Sequence, residues 1–219
     1  MPQADRALAA DREQALALTD VSRETLRRLD RFVALLLGWQ KTTNLIAPST
    51  VPKLWTRHIA DSLQLIELAP QARRWIDLGS GAGFPGLVIA CALAEMPGAV
   101  VHLVESNAKK AAFLREAARV TGACAQVHGE RIATFTAAFA GRADIVTARA
   151  LAPLPALFAH CAPLLGKTGA TGLFLKGQGI DLELQDASKS WIVNAELLPS
   201  RTDPQGRIVR LQDLGPRNA

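Results

Sequence analysis

The chain has 219 residues, of which 49% are apolar and 21% charged, with a formal net charge of +5. This is long enough for one well-buried core and too apolar for disorder, and no run approaches the roughly 20 apolar residues that span a bilayer. The start, MPQADRALAADREQ, has no apolar signal core, so a cytoplasmic protein with no membrane partner is expected, and the basic excess only tilts the partner toward a polyanion.

The pattern from Asp5 to about Leu68 is helical. Leu26, Leu29, Val33 and Leu36 recur at three- and four-residue steps, giving one apolar face on a helix that Thr19, Asp20 or Ser22 could cap. A second helix is expected over Val51–Leu68, capped by Ser49 or Thr50, with Pro52 in its first turn and Trp55, Ile59, Ser62 and Ile66 along one side. Residues 1–70 are read as a helical lobe packed on a larger unit, residues 71–219.

From Arg73 the texture changes. Short apolar runs at Trp75–Leu78, Val100–Glu105, Cys124–His128, Asp144–Ala148 and Gly172–Lys176 alternate with helical patterns at Pro85–Glu95, Ala108–Val120, Ile132–Ala140 and Pro155–Leu165. Strands apolar throughout, alternating with helices, predict a parallel sheet covered on both faces. After a helix at Ile180–Lys189, the runs Trp191–Leu198 and Arg207–Leu211 are separated only by residues 199–206. That gap cannot hold a crossover helix, so these two strands should pair antiparallel. An open NAD-type sheet built from two similar halves has no reason to end in a hairpin.

Cys91, Cys124 and Cys161 form no CxxC pair, so they read as small buried residues; neither a disulfide framework nor a metal site is expected.

The densest signal is Trp75-Ile-Asp-Leu-Gly-Ser-Gly-Ala-Gly-Phe-Pro-Gly86, at the end of the first strand. Ligands of parallel sheets lie beyond the carboxyl ends of the strands, and Gly79, Gly81 and Gly83 allow positive φ and a close approach to the main chain. Gly86 instead suits close helix packing. Glu105 ends the second strand, where a carboxylate can accept hydrogen bonds from both ribose hydroxyls of an adenosine. Pro85 removes an amide that would cradle a pyrophosphate, and Asp77 would set a negative charge nearby. Both features favour a ligand with a cationic amino-acid tail, namely S-adenosyl-L-methionine, over NAD.

The strand Asp144–Ala150 reaches the same edge, facing the transferable methyl. Enzymes that methylate exocyclic amines commonly carry an Asn/Asp-Pro-Pro-aromatic turn here; this chain has Ala148-Arg149-Ala150-Leu151, and no Pro-Cys pair of the kind used to attack pyrimidine carbon 6. The acceptor should therefore already be nucleophilic, as guanine N7 is, with catalysis resting on alignment. Arg149 needs an anionic or carbonyl partner: the ligand carboxylate, guanine O6, a phosphate, or an ion pair with Asp77 or Glu105. Lys176 points to the same rim, to meet a phosphate or solvent. Arg57 and His58 can approach Asp61 on one helix face, either docking the lobe or serving the substrate cleft. Lys109, Lys110 and Arg115 read as a solvated face that could add to a basic rim for RNA.

Asn44-Leu45, Arg57-His58-x-x-Asp61-Ser62, Asp77-Leu-Gly-Ser-Gly-Ala-Gly-Phe-Pro-Gly86, Thr147-Ala-Arg149-Ala and Leu175-Lys-Gly-Gln178 occur in this order. Together they resemble the ribosomal small subunit methyltransferase G family, also called glucose-inhibited division protein B, from about Leu26 to the C-terminal hairpin. The resemblance implies a Rossmann-like class I methyltransferase sheet, parallel with a C-terminal antiparallel hairpin, plus the helical lobe. It further implies transfer of a methyl from S-adenosyl-L-methionine to N7 of a guanine in 16S rRNA, presented free or in the small ribosomal subunit, by a monomer. Cofactor contacts carried over by position are Gly79, Phe84, Ile132, Ala133 and Arg149. The pair at 132 and 133 is less acidic than the family's, which leaves main-chain contacts there. Gly81 and Glu105 join the cofactor site on the chemistry above, with Lys176, Arg57 and His58 toward the substrate. No catalytic acid or base is identified. The competing readings are a non-catalytic RNA or ribosome-assembly module on the same core, and an NAD-dependent oxidoreductase.

Overall fold

A computed structural model describes residues 3–217; positions 1–2 of the expected 1–70 lobe and 218–219 of the expected 71–219 unit lie outside the described residues. A seven-stranded sheet organises the chain, in the order β3-β2-β1-β4-β5-β7-β6. Its members are β1 (Arg74–Leu78), β2 (Val100–Val104), β3 (Ala125–His128), β4 (Ile145–Arg149), β5 (Thr171–Lys176), β6 (Trp191–Pro199) and β7 (Arg207–Pro216). The first five are parallel, whereas β7 runs antiparallel to both β5 and β6. The expected closing hairpin is therefore present, with its later strand inserted beside β5 and its earlier strand on the edge.

The helices are α1 (Gln3–Leu18), α2 (Arg23–Gln40), α3 (Asp61–Leu68), α4 (Gly86–Ala92), α5 (Ala108–Thr121), α6 (Ile132–Ala138), α7 (Leu154–Thr168) and α8 (Ile180–Ala187). They form two covering layers. On one face Trp75, Leu103, Ile145 and Leu173 meet Leu29, Phe32, Leu36, Trp55 and Phe113; on the other Ile76, Val146, Phe174 and Val209 meet Leu157, Phe158 and Leu164. Alternate residues of each central strand thus enter opposite cores, which is why these strands read as unbroken apolar runs. Each large side chain buried this way contributes about 2–3 kcal/mol.

Ser22 is the cap of α2, its Oγ accepting the Thr25 amide at 3.1 Å. The continuous helix expected over Val51–Leu68 is not formed. A 3-10 segment, Pro48–Lys53, begins after Ala47 with no side-chain cap, so neither Ser49 nor Thr50 acts as one; a π-helical turn, Trp55–Ala60, then leads into α3. Pro48 and Pro52 lack amide hydrogens, and the amides of Trp55 and Thr56 donate to the buried Asp11 carboxylate of α1, at 2.7 and 3.2 Å. Those two donors are drawn away from the carbonyls an α-helix would offer them.

Among the described residues no helix is long and apolar enough to cross a membrane, and no group of three or more His, Cys, Asp or Glu could hold a metal ion. Cys91 and Cys161 are buried and Cys124 half-buried, all as free thiols.

Candidate active site

A cleft of about 1180 Å³ opens at the carboxyl ends of the parallel strands, between the glycine loop, the π-turn with α3, and the β6–β7 turn. Gly79, Gly81 and Gly83 have φ of +69°, +55° and +96°, the left-handed region that favours glycine. Their surroundings differ. A Cβ on Gly81 would meet only a carbonyl oxygen at 3.8 Å, so this residue faces open cleft, whereas one on Gly83 would press on Leu87 and Phe32. Gly86 carries the packing role expected of it: a Cβ there would lie 2.4 Å from Leu103 and 2.5 Å from Asp77 Oδ2.

Asp77 is fully buried beneath the loop and does not line the cleft, which corrects the reading that sets its charge beside the ligand. Its Oδ2 accepts the Gly86 amide at 3.1 Å, fixing the start of α4, while Oδ1 has no partner. Burial pushes its carboxyl up to about 6, against the pull of hydrogen bonds and the Arg149 charge. Glu105 does line the cleft. Its two oxygens accept the amides of Gly81 at 2.9 Å and Asn107 at 2.7 Å, so it shapes the loop and keeps lone pairs for a diol.

Arg149, at the end of β4, is held by residues of the π-turn and α3. Its Nη1 donates to the Arg57 carbonyl at 3.1 Å, its Nη2 donates to His58 Nδ1 at 2.6 Å, and Asp61 Oδ2 lies 3.8 Å away. The ion pair considered with Asp77 or Glu105 is not made; Arg149 binds the lobe instead. A guanidinium can only donate, so His58 Nδ1 accepts and its Nε2–H donates to Thr50 Oγ1 at 3.1 Å. Burial and the charges of Arg149 and Arg57 hold His58 down to about 3, so it is a neutral spacer. Phe84 underlies this group, with its ring stacked 4.8 Å from His58 and 5.2 Å below the guanidinium.

Asp61 contacts neither Arg57 nor His58 through its side chain as the one-face reading expected; the wider π-turn offsets them. It accepts from Thr202 Oγ1 at 2.7 Å, Gln64 Nε2 at 2.8 Å and Ser200 Oγ at 3.3 Å. Lys176 is neither free for a phosphate nor solvated: its Nζ lies 2.6 Å from Glu183 Oε2 and donates to the Ala152 carbonyl at 2.9 Å. Ile132, at the start of α6, lines the cleft near Glu105, while Ala133 is exposed and does not. The structure thus gathers Gly79, Gly81, Phe84, Glu105, Ile132, Arg149, Arg57, His58 and Lys176 around one cleft.

Sequence reasoning missed Asp11, Ser200 and Thr202, and it marked Thr50 only as a helix-cap candidate, not as the partner of His58. Asp11 sits 44 residues from its Trp55 partner, and no local pattern marks so distant an acceptor. Ser200 and Thr202 were read only as part of a connector, although two hydroxyls in a short turn facing a motif aspartate are a usable signal.

The residues present fit an adenosine with an amino-acid tail: a glycine loop whose amides are tied to Val104, Glu105 and Ser80 and whose bare main chain faces the cleft at Gly81, a carboxylate with lone pairs left for a diol, Ile132 on the wall and a guanidinium across the cleft. Comparison with known proteins agrees. Residues 25–203 match the family described as rRNA small subunit methyltransferase G. A protein of that name from Bradyrhizobium sp. (strain ORS 278) is 62% identical over 204 residues, covering 93% of this chain and 91% of the relative. Its namesake in Rhodopseudomonas palustris (strain BisB18) is 58% identical, covering 96% and 90%. Among solved structures, an O-methyltransferase from Streptomyces achromogenes in complex with SAM superposes with a TM-score of 0.59 at 14% identity, covering 97% of this chain and 99% of the other. One from Bacillus cereus in complex with SAH gives 0.59 at 12% identity, covering 96% and 100%. At such identities these two share the fold.

Proposed function

Since the chain belongs to the rRNA small subunit methyltransferase G family, we propose that it transfers a methyl group from S-adenosylmethionine to N7 of a guanine in 16S rRNA. The observation that carries the choice of N7 concerns the carboxylates and the imidazole around the cleft. Asp11, His58, Asp61, Glu105, Glu183 and Asp203 all already hold hydrogen bonds within the protein. The carboxylates are made less basic by the hydrogen bonds they accept and both nitrogens of His58 are engaged, so the favoured acceptor is one that attacks without losing a proton. Guanine N7, with an in-plane lone pair, is such an acceptor.

In this reading the main chain at Gly79 and Gly81, the Glu105 carboxylate and the Ile132 side chain hold the adenosine, and Arg149 receives the carboxylate of the amino-acid tail. Ala133 contributes its main chain at most. The cofactor supplies an electrophilic methyl on a sulfonium. The protein's part is orientation and exclusion of water: Phe84 and neutral His58 fix the guanidinium, and Leu151 closes over Gly79. Arg57 lines the acceptor side and is the stronger candidate for rRNA contact; His58 and Lys176 act through their protein partners.

Calorimetric titration with S-adenosylhomocysteine and with NAD separates this reading from an oxidoreductase, and binding of the former alone is expected. Labelled methyl transfer to ribosomal RNA followed by borohydride and aniline should cleave the RNA at the modified guanine. An intact backbone after that treatment would exclude N7, and binding without transfer would favour the non-catalytic assembly module.

A further inference from the structure

The β6–β7 turn is held from outside the sheet. Asp61, Gln64 and Glu67 follow one another at three-residue steps along α3, a single helix face, and each grips it. Asp61 accepts from Thr202 Oγ1 at 2.7 Å and Ser200 Oγ at 3.3 Å. Gln64 Oε1 accepts the Arg201 amide at 3.0 Å, its Nε2 reaches Ser200 Oγ at 3.2 Å, and Glu67 pairs with the Arg201 guanidinium at 2.6 Å. The far oxygen of Asp61 looks back toward Arg149, 3.8 Å away.

Sheet order gives the turn its meaning. The glycine loop follows β1, Glu105 follows β2 and Ile132 follows β3, so the residues proposed for the adenosine occupy the β3-β2-β1 half, with Arg149 next to them at the end of β4. The turn projects from the opposite half, beyond β4 and β5, and residues 200–207 line the cleft there. Arg201 and Arg207 belong to this side, and Lys53 and Arg57 also line the cleft, a charge suited to the phosphates that flank an RNA base. Resting on the methyltransferase reading, we propose that the turn 200–206 is the wall against which the RNA acceptor is placed, and that Asp61 is the positioning residue that sets it. Because one carboxylate reaches both the turn and Arg149, it ties the acceptor wall to the arginine at the cofactor side.

The test uses the full chain with Ser200→Ala and Thr202→Val combined, which removes both hydroxyls from Asp61 while leaving Arg149, the glycine loop and Glu105 intact. Losing hydrogen bonds to a carboxylate should raise KM for the RNA substrate about tenfold. Affinity for S-adenosylhomocysteine should stay within about twofold, well inside the change a lost charged hydrogen bond gives. Thr202→Ser, which keeps a hydroxyl, should restore KM toward wild type. Gln64→Met cuts the tether from the helix side and should raise KM in the same sense, so a poorly folding double variant does not end the test. Unchanged KM in the folded variants, with wild type active, overturns the inference alone. A parallel loss of S-adenosylhomocysteine affinity also overturns it, because the tether would then serve the cofactor. Absence of methyl transfer by the wild type overturns this inference together with the reading beneath it.

Discussion

Gly79 and His58 show how much single residues decide. At Gly79 the backbone has φ +69° and a Cβ would come within 2.6 Å of Leu151 Cδ1, so any side chain there is strained and must push the covering leucine aside. Gly79→Asp adds a negative charge to the loop proposed to hold the cofactor, and it should abolish S-adenosylhomocysteine binding; wild-type affinity in a titration would show the loop is mis-assigned. His58 makes a pH prediction. Its folded value of about 3 lies below the ordinary 6.5, and His102, half-buried against His128 at 3.0 Å, is lowered to about 4. The unfolded chain therefore takes up these protons first, so the stabilisation is complete above about 6.5 and is lost as pH falls toward 3–4. Asp77, raised to about 6, acts in the opposite direction, since its folded carboxyl gains a proton before the unfolded one does. His128 is lowered and Asp61 raised in the same senses, both by burial, so three imidazoles against two carboxyls leave a net fall. Thermal midpoints measured from pH 6.5 downward should decrease, and the slope should be shallower in His58→Gln; an equal slope would assign the loss elsewhere.

At the scale of elements, α1 and the π-turn behave as one unit. The Asp11 carboxylate accepts two main-chain amides and the Thr56 hydroxyl, at 2.5 Å for the last, and Arg12 lies 5.1 Å over the Trp55 ring. Asp11→Ala strands those donors in a buried setting and should cost about 3 kcal/mol, measurable by denaturant unfolding. On the opposite side of the glycine loop, Gly86→Ala would force α4 away from β1 against Leu103 and the Asp77 carboxylate. A loss of about 1–3 kcal/mol is expected there, with Asp77 losing its one amide partner if the helix shifts. These elements were not equally legible. The parallel strands could be read from sequence because burial on both faces writes itself as continuous apolar runs, and the hairpin followed from an eight-residue gap that excludes a crossover. The π-turn could not be read, because its cause is a carboxylate on another helix, 44 positions away. Arg149 was marked as a residue in need of a partner, yet its partners lie 91 and 92 positions earlier, beyond anything a local pattern carries. Lys176 failed for a different reason: Glu183 is close in sequence, but its approach depends on how α8 folds back over the end of β5.

Over the whole molecule, the residues proposed for the adenosine follow β1 to β3, and the proposed acceptor wall lies beyond β4 and β5. An acceptor wall built from one short turn presents a small docking area, so recognition of the guanine should draw on RNA shape beyond the cleft. Methylation assays comparing free 16S rRNA with the small subunit are expected to favour whichever presents the guanine unstacked, and equal rates would place recognition within the cleft itself. The order of the last strands has a further consequence, in time. β6 leaves the ribosome before β7, yet its only neighbour among the described residues is β7, which must slot between it and β5. A nascent chain can therefore complete β1 to β5, and with them the glycine loop and Glu105, while β6 still hangs unpaired. Strand order alone thus leaves the proposed acceptor half to be closed by the final strand, after the strands that carry the glycine loop and Glu105.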